Sequence, residues 1–159
     1  MNLHSELLSA ISKEQKSKIY DILVGQRVEP TVECLQIAIQ TRNNKLIEMF
    51  FGYPYFLRPT SDCLAEAIRT NHSGLLSAFL QPKYNIVPNE ACLLASIEKA
   101  NVDMVRYILQ KCPRLTITTS HINHIDDLQF EEYNQEIQSL LQEAMDRQMP
   151  KPLPFDFLV

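Results

Sequence analysis

The stretch that decides the fold is Cys34-Leu35-Gln36-Ile37-Ala38-Ile39, which returns as Cys63-Leu64-Ala65-Glu66-Ala67-Ile68 and again as Cys92-Leu93-Leu94-Ala95-Ser96-Ile97. The spacing is 29 residues each time. The same shift superposes further apolar pairs and the preceding prolines: Leu46-Ile47, Leu75-Leu76, Met104-Val105, Pro30, Pro59 and Pro88. An earlier copy runs from Leu7 to Leu23 and has one residue fewer. A fixed period of about 20–50 residues indicates a repeat protein.

Each unit is predicted to form two short helices. A proline cannot continue a preceding helix, and the residue after it can cap a new one: Thr31, Thr60 or Asn89. A polar break such as 70–73 separates this helix from a second, whose apolar pairs four residues apart form one buried stripe. Gly25 and Gly52 stand where second helices should end, and each is predicted to form a left-handed cap.

One helix pair is too small to bury its apolar side, but neighbouring pairs bury it by stacking. We therefore predict an all-α fold, a solenoid of stacked helix-turn-helix repeats in a single domain over residues 1–147. The repeats cover about 5–33, 34–62, 63–91 and 92–120, and a degenerate unit at 121–147 supplies a C-terminal capping helix. Residues 148–159 are predicted to form a proline-rich extended tail.

These units resemble the ankyrin repeat. The resemblance lies in Leu35, Ala38-Ile39, Leu46-Ile47 and Phe50-Phe51 with their copies, and it covers about 115 of the 159 residues. In the third unit Asn71-His72 stands where the family often has Gly-His at the turn between helices. The period of 29 is shorter than the family's period of about 33 residues. We therefore expect the family's β-hairpin finger to be shortened or replaced by an extended loop.

The resemblance implies a function in protein interaction. Ankyrin-type stacks generally bind other proteins and seldom catalyse. We therefore predict a non-catalytic adaptor, or an inhibitor that binds and occludes a partner protein, with neither a cofactor nor a metal. Compact, irregular stacks of this kind also resemble modules of bacterial effectors and effector regulators, and for an effector this resemblance implies delivery into a host cell. Self-association into a homo-oligomer through a groove or the tail is a weaker alternative.

Charge and composition narrow the choice of partner. Residues 1–120 hold 13 Lys/Arg and 11 Asp/Glu (+2), and residues 121–159 hold 2 and 8 (−6), which gives the total of −4. This balance, with a pI near 5.5, argues against nucleic acid. No apolar run approaches the ~18–20 residues of a membrane span, and the first residues do not read as a signal peptide. We expect no membrane partner and a cytoplasmic location.

The cysteines support a reducing compartment. Cys34, Cys63 and Cys92 occupy equivalent positions in neighbouring units, which should lie about 8–10 Å apart. A disulfide needs Cα atoms within about 7 Å, so we predict a column of buried, reduced thiols. Cys112, beside Pro113, is expected to be more accessible.

Two sets of residues are predicted to contact the partner. Rigid aromatic side chains at an exposed rim often anchor interfaces, although packing of the loop itself explains the same pattern. The aromatic residues in the loops between units are Tyr53, Tyr55, Phe56 and Tyr84. The second set lies at exposed positions of the first helices and comprises Gln36, Gln40, Arg69 and Glu98. Its mixed chemistry suits a protein surface or an extended peptide better than a phosphate backbone.

A metal-dependent hydrolase is the alternative function. His121 and His124 are three residues apart and share a helix face, and Asp126 could complete a set of zinc ligands. The competing interpretation is the start of a capping helix with local polar bonds, because His121 takes the position of the cysteine column. This second interpretation is the one that we prefer.

The tail has apolar residues that suggest docking: Phe155, Phe157, Leu158 and Val159. One interpretation is a strap that lies across the final helices of the same chain. Another is a peptide that docks on a partner. Disorder without a function is the third.

Overall fold

The computed structural model describes residues 2–126 and 131–149, apart from the side chains of Asp126, Glu131 and Glu132. Every regular element in this part of the chain is helical, which confirms the all-α prediction. The helices are α1 (Leu3–Ser12), α2 (Lys16–Tyr20), α3 (Val32–Gln40), α4 (Asn44–Phe51), α5 (Ser61–Arg69), α6 (Ser73–Phe79), α7 (Glu90–Glu98), α8 (Val102–Lys111), α9 (Thr119–Asp126) and α10 (Glu131–Gln148). Helix α2 continues into a π-helical turn at Asp21–Gly25.

The helices contact one another in sequence order. Helix α3 packs between α1 and α5, and α7 packs between α5 and α9. Each even-numbered helix packs on the odd-numbered helix before it, and α10 also packs on α8. No helix in the described residues is both long enough and apolar enough to cross a membrane.

The positions that the repeat predicts as apolar are buried. Leu7, Leu35, Leu64 and Leu93 are all 0% exposed. The small residues of the same helices are equally buried, at Ala10, Ala38, Ala67 and Ser96. Ser96 brings a hydroxyl into this layer, and the hydroxyl donates to the Cys92 carbonyl at 2.7 Å. The buried polar group is thus satisfied inside its own helix.

The backbone repeats as well as the sequence. The turn between the two helices of a unit has a left-handed residue at Glu14 (φ 52°), Arg42 (53°), Asn71 (51°) and Ala100 (48°). A second left-handed position follows the second helix at Arg27 (53°), Phe56 (46°) and Asn85 (47°). From the first position to the second the chain advances 13 residues in the first unit and 14 in the next two. The missing residue of the first copy therefore falls between Glu14 and Arg27, the stretch that holds the π-helical turn.

The predicted glycine caps are wrong. Among the described residues no glycine has a positive φ, and Gly52 is extended at φ −90°, ψ −177°. The left-handed turn comes four residues later, at Phe56, whose amide donates to the Gly52 carbonyl at 3.0 Å. The Leu57 amide then donates to the Phe50 carbonyl at 2.8 Å, so the helix end is closed by the loop. The extended segment that follows, 57–60, contains no hairpin.

Of the three caps predicted for the first helices, only Asn89 forms, and the predictions for Thr31 and Thr60 are wrong. The Asn89 side chain accepts from the Cys92 amide at 3.1 Å, as a cap should. Thr31 and Thr60 make no such bond. The Thr31 hydroxyl instead lies 3.2 Å from His4 Nε2 and 3.8 Å from Sγ of Cys34. The Thr60 hydroxyl lies 3.6 Å from Sγ of Cys63.

Candidate functional site

An exposed aromatic pair projects from the loop between α4 and α5. Tyr53 is 85% exposed and Phe56 is 63% exposed. Their ring centroids are 6.1 Å apart with an interplanar angle of 74°, an edge-to-face arrangement. We call Tyr53 and Phe56 the rim pair. Two large rings that pack mainly on each other in solvent are a recognised feature of binding surfaces.

Phe56 adopts a left-handed backbone conformation, which is unfavourable for a residue with a side chain. Its φ is 46°, a conformation that disfavours residues with a side chain by about 1–2 kcal/mol. The next unit has Asn85 at the equivalent position, and asparagine tolerates this conformation better. The left-handed backbone recurs at this position in the first three units, so it belongs to the fold, and the feature specific to Phe56 is a large exposed ring at that position.

The other two predicted loop aromatics pack inward. The ring of Tyr55 lies 6.2 Å from the ring of Phe50, which is fully buried. The ring of Tyr84 lies 6.2 Å from Phe51 and 6.3 Å from Phe79. Both tyrosines are half-buried, so they hold their loops against the second helices. The sequence left open whether these aromatic residues bind a partner or pack the loops, and the structure divides them into two pairs. Tyr53 and Phe56 face solvent, whereas Tyr55 and Tyr84 support the loops.

The predicted surface of the first helices is a network of paired charges. Arg69 Nη1 donates to Glu66 Oε1 at 2.8 Å, and Arg69 Nε lies 3.7 Å from Glu98 Oε2. His124 Nε2 lies 3.6 Å from Glu98 Oε1. The network thus links α5, α7 and α9, and it places the predicted residues Arg69 and Glu98 in contact with each other. Gln36 is half-buried and Gln40 is exposed on α3.

The two histidines of the hydrolase hypothesis point to different partners. His121 is 2% exposed, and its Nδ1 accepts from the Thr118 amide at 3.2 Å. Its Nε2 lies 3.4 Å from Glu90 Oε1 but makes no hydrogen bond within the described residues. His124 instead approaches Glu98, eight residues along α7 and about 12 Å from Glu90. The side chain of Asp126 lies outside the described residues. Within them, no group of three His, Cys, Asp or Glu residues is placed to hold a metal ion.

All four cysteines are free, and their environments make them poor nucleophiles. Burial raises the pKa of Cys34, Cys63 and Cys92 above the ordinary value of 9.0. Burial also raises the pKa of Cys112, which is the least buried of the four. A neutral thiol at pH 7 attacks electrophiles slowly.

Two grooves between second helices were not predicted from the sequence. The α2/α4 groove has a volume of about 200 Å³ and is lined chiefly by Ile19, Leu23, Leu46 and Met49, with Lys16 and Lys45 at its edge. The α6/α8 groove has a volume of about 360 Å³ and is lined by Phe79, Leu80, Gln81, Pro82, Asn85, Ile86, Val87, Pro88, Tyr107 and Lys111. The sequence held no usable signal for them, because most residues of the α6/α8 groove lie in the loop after α6.

No protein-family model, no curated protein sequence and no solved structure matches the chain.

Proposed function

We propose that the chain is an ankyrin-like α-solenoid that acts as a non-catalytic protein-interaction module, either an adaptor or an inhibitor that occludes its partner. The order of helix contacts supports the stack, since each odd-numbered helix touches the next one along the chain. The left-handed turn residues recur with the sequence period, which supports equivalent units. A stack of this kind presents an extended surface, and that surface suits recognition of another protein.

The observation that carries the proposed function is the rim pair. Tyr53 and Phe56 remain 85% and 63% exposed although the same loop contains Tyr55, which packs inward. Aromatic residues of this kind dominate the binding energy of interfaces, because they exclude water over a large area at small entropic cost. The partner should therefore offer an apolar pocket or groove to the two rings.

The charges of the first helices favour a protein over a polyanion as partner. Arg69 is engaged by Glu66 and Glu98, so it is not free for a phosphate. The reduced cysteines fit a reducing compartment such as the cytoplasm. The bacterial effector class and delivery into a host cell follow from the resemblance alone and are part of the proposal.

The test compares partner capture by matched variants of the full chain. We expect the double variant Tyr53→Ala, Phe56→Ala to retain the partner at least about 30-fold more weakly, because a single anchor residue contributes about 2 kcal/mol or more. Tyr133→Ala is the control, since Tyr133 is also exposed, at 48%, and lies on α10. Each variant is immobilised, and the proteins retained from a cell lysate are quantified by mass spectrometry.

Folding of the same variants is measured by thermal unfolding. The rim pair contributes little buried area, so the double variant should melt within about 2 °C of the unchanged chain. Equal capture by the double variant and the control would reject the rim pair as the binding site.

A further inference from the structure

The α6/α8 groove combines apolar and polar side chains with one positive charge, that of Lys111. Phe79, Leu80, Ile86 and Tyr107 line it, and Val87 at its edge is 66% exposed. Lys111 also lines the groove and lies over the Tyr107 ring at 5.9 Å. In the described residues Lys111 makes no ion pair. The volume of about 360 Å³ falls in the range of about 300–1,000 Å³ that is usual for ligand sites.

The end of α10 is fixed close to this groove. The side chain of Gln148 accepts from the Ile117 amide at 3.0 Å and donates to the Leu115 carbonyl at 2.6 Å. Leu115 and Ile117 are each 29 residues after Ile86 and Pro88, which line the groove. Helix α10 also packs directly on α8. The chain therefore leaves α10 one repeat away from the groove, with α8 between them.

The groove lies on another side of α8 from α10. Arg106 of α8 bonds to Glu136 of α10. Tyr107 and Lys111 are one turn apart on the side of α8 that faces α6, where they line the groove. A segment that continues from α10 must therefore cross the C-terminal end of α8, a distance of about one helix diameter, 10–12 Å.

The sequence after α10 has the length and the chemistry to do this. Residues 150–154 include three prolines, which favour extended backbone with an advance of about 3.1 Å per residue, or ~16 Å in all. That span exceeds the width of α8. The next residues are Phe155-Asp156-Phe157-Leu158, which are apolar except for one carboxylate. Their apolar side chains match Phe79, Leu80, Ile86 and Tyr107 in the groove lining, and their carboxylate matches Lys111.

We propose that residues 155–158 dock in the α6/α8 groove of the same chain, with Asp156 paired to Lys111. The α2/α4 groove is not the site, because it lies several helix widths further from the end of α10 than this segment reaches. The docked tail would contact the loop 82–87, which lines the groove. This loop is equivalent in the repeat to the loop that carries the rim pair. The tail and a partner bound at the rim pair would then lie side by side on the same surface. The tail-docking proposal does not depend on the rim pair being the partner site.

Disulfide trapping tests the location of the tail. In a Cys112→Ser background, Val87→Cys with Phe157→Cys should form an intrachain disulfide in most molecules under mild oxidation. The linked peptide is identified by mass spectrometry, and the product stays monomeric on a non-reducing gel. The control pair is Val24→Cys with Phe157→Cys, where Val24 is exposed beside the α2/α4 groove. Equal yields from the two pairs, or links only between copies, would overturn the proposal.

Charge reversal tests the ion pair independently in the full chain. Replacing Phe155, Phe157 and Leu158 by alanine should lower the melting temperature by about 3–6 °C, because their burial is lost. Asp156→Lys and Lys111→Glu should each lower it by a smaller amount, and the two together should restore most of the loss. Lys45→Glu is the matched control, and it should not respond to Asp156→Lys. Unchanged melting in every tail variant would also overturn the proposal.

Discussion

Single residues at the turn between helices close each unit and join it to the next. After the left-handed residue, Asn43, His72 and Asn101 cap the second helix, accepting from Leu46, Leu75 and Met104 amides at 3.3, 3.4 and 3.0 Å. His72 also reaches the preceding unit, where its Nε2 lies 2.9 Å from Asn44 Oδ1. Since Nδ1 accepts the capping bond, Nε2 carries the hydrogen and donates to Asn44. One histidine therefore supplies both a cap and a bridge between units.

Removing these caps gives a graded prediction. Asn101→Ala should lower the free energy of unfolding by about 1 kcal/mol, the usual cost of losing a helix cap. His72→Ala should cost about 2 kcal/mol, because it loses the bridge to Asn44 as well. His72→Asn should recover the part due to the cap. Urea unfolding monitored by circular dichroism measures all three variants.

Gln15→Ala serves as the control for these caps. Gln15 holds the equivalent position before α2, and its side chain makes no capping bond. Its replacement should change the free energy of unfolding by less than about 0.5 kcal/mol. If His72→Ala lowers the free energy of unfolding no more than Asn101→Ala does, the bridge between units does not contribute to stability.

The sequence predicted the residues of the loop site but not their orientation. Tyr53, Tyr55 and Phe56 are close neighbours of similar chemistry, and spacing alone does not say which ring turns inward. The decision depends on the left-handed backbone at Phe56 and on Phe50, whose ring Tyr55 contacts. A left-handed phenylalanine has no sequence signature, so the four aromatic residues could be predicted only as candidates, and two of their rings face solvent.

At the scale of elements, the first helices carry a column of buried residues that link successive units. Cys34, Cys63, Cys92 and His121 occupy the same position, and each is contacted by the residue three places before it. Sγ of Cys92 also lies 3.2 Å from the Ser61 carbonyl of the preceding unit. The repeat spacing was sufficient to predict this column, because equivalent positions in stacked helices have equivalent surroundings.

The raised thiol pKa values make stability depend on pH in the alkaline range. Burial raises the pKa of Cys63 above 9.0 in the folded chain, so as the pH rises its thiolate forms first in the unfolded chain. The stabilisation is therefore complete below about pH 9 and is lost as the pH rises towards the folded pKa. Each such thiol should add up to about 1.4 kcal/mol per pH unit to the slope with which the free energy of unfolding falls in this range.

The measurement is urea unfolding between pH 7 and pH 10.5 for the unchanged chain and for Cys63→Ala. The variant should be less stable at pH 7 but lose stability less steeply above about pH 9. Cys112→Ser is the control, because that thiol is the least buried and should change the slope least. Parallel pH curves for the unchanged chain and Cys63→Ala would contradict the assigned cause.

At the scale of the whole molecule, the buried residues of all units form one continuous cluster, from Leu7 in α1 to Ala144 in α10. The sequence period predicted this core and the order of the helices. It did not predict the two grooves, because these depend on how far apart the second helices stand, and apolar spacing along one helix carries no such information. The predicted tail residues lie outside the described residues, and their docking stays a proposal.

Distances between spin labels at equivalent positions test the central claim, the stacking of equivalent units, most directly. Ser12, Gln40 and Glu98 are the last residues of α1, α3 and α7. In a Cys112→Ser background, labelled cysteines at Gln40 and Glu98 span two helix spacings and should give about 16–20 Å by pulsed electron paramagnetic resonance. Labels at Ser12 and Glu98 span three helix spacings and should give a distance of about 24–30 Å. Two equal distances, or a shorter one for Ser12 and Glu98, would contradict the stack.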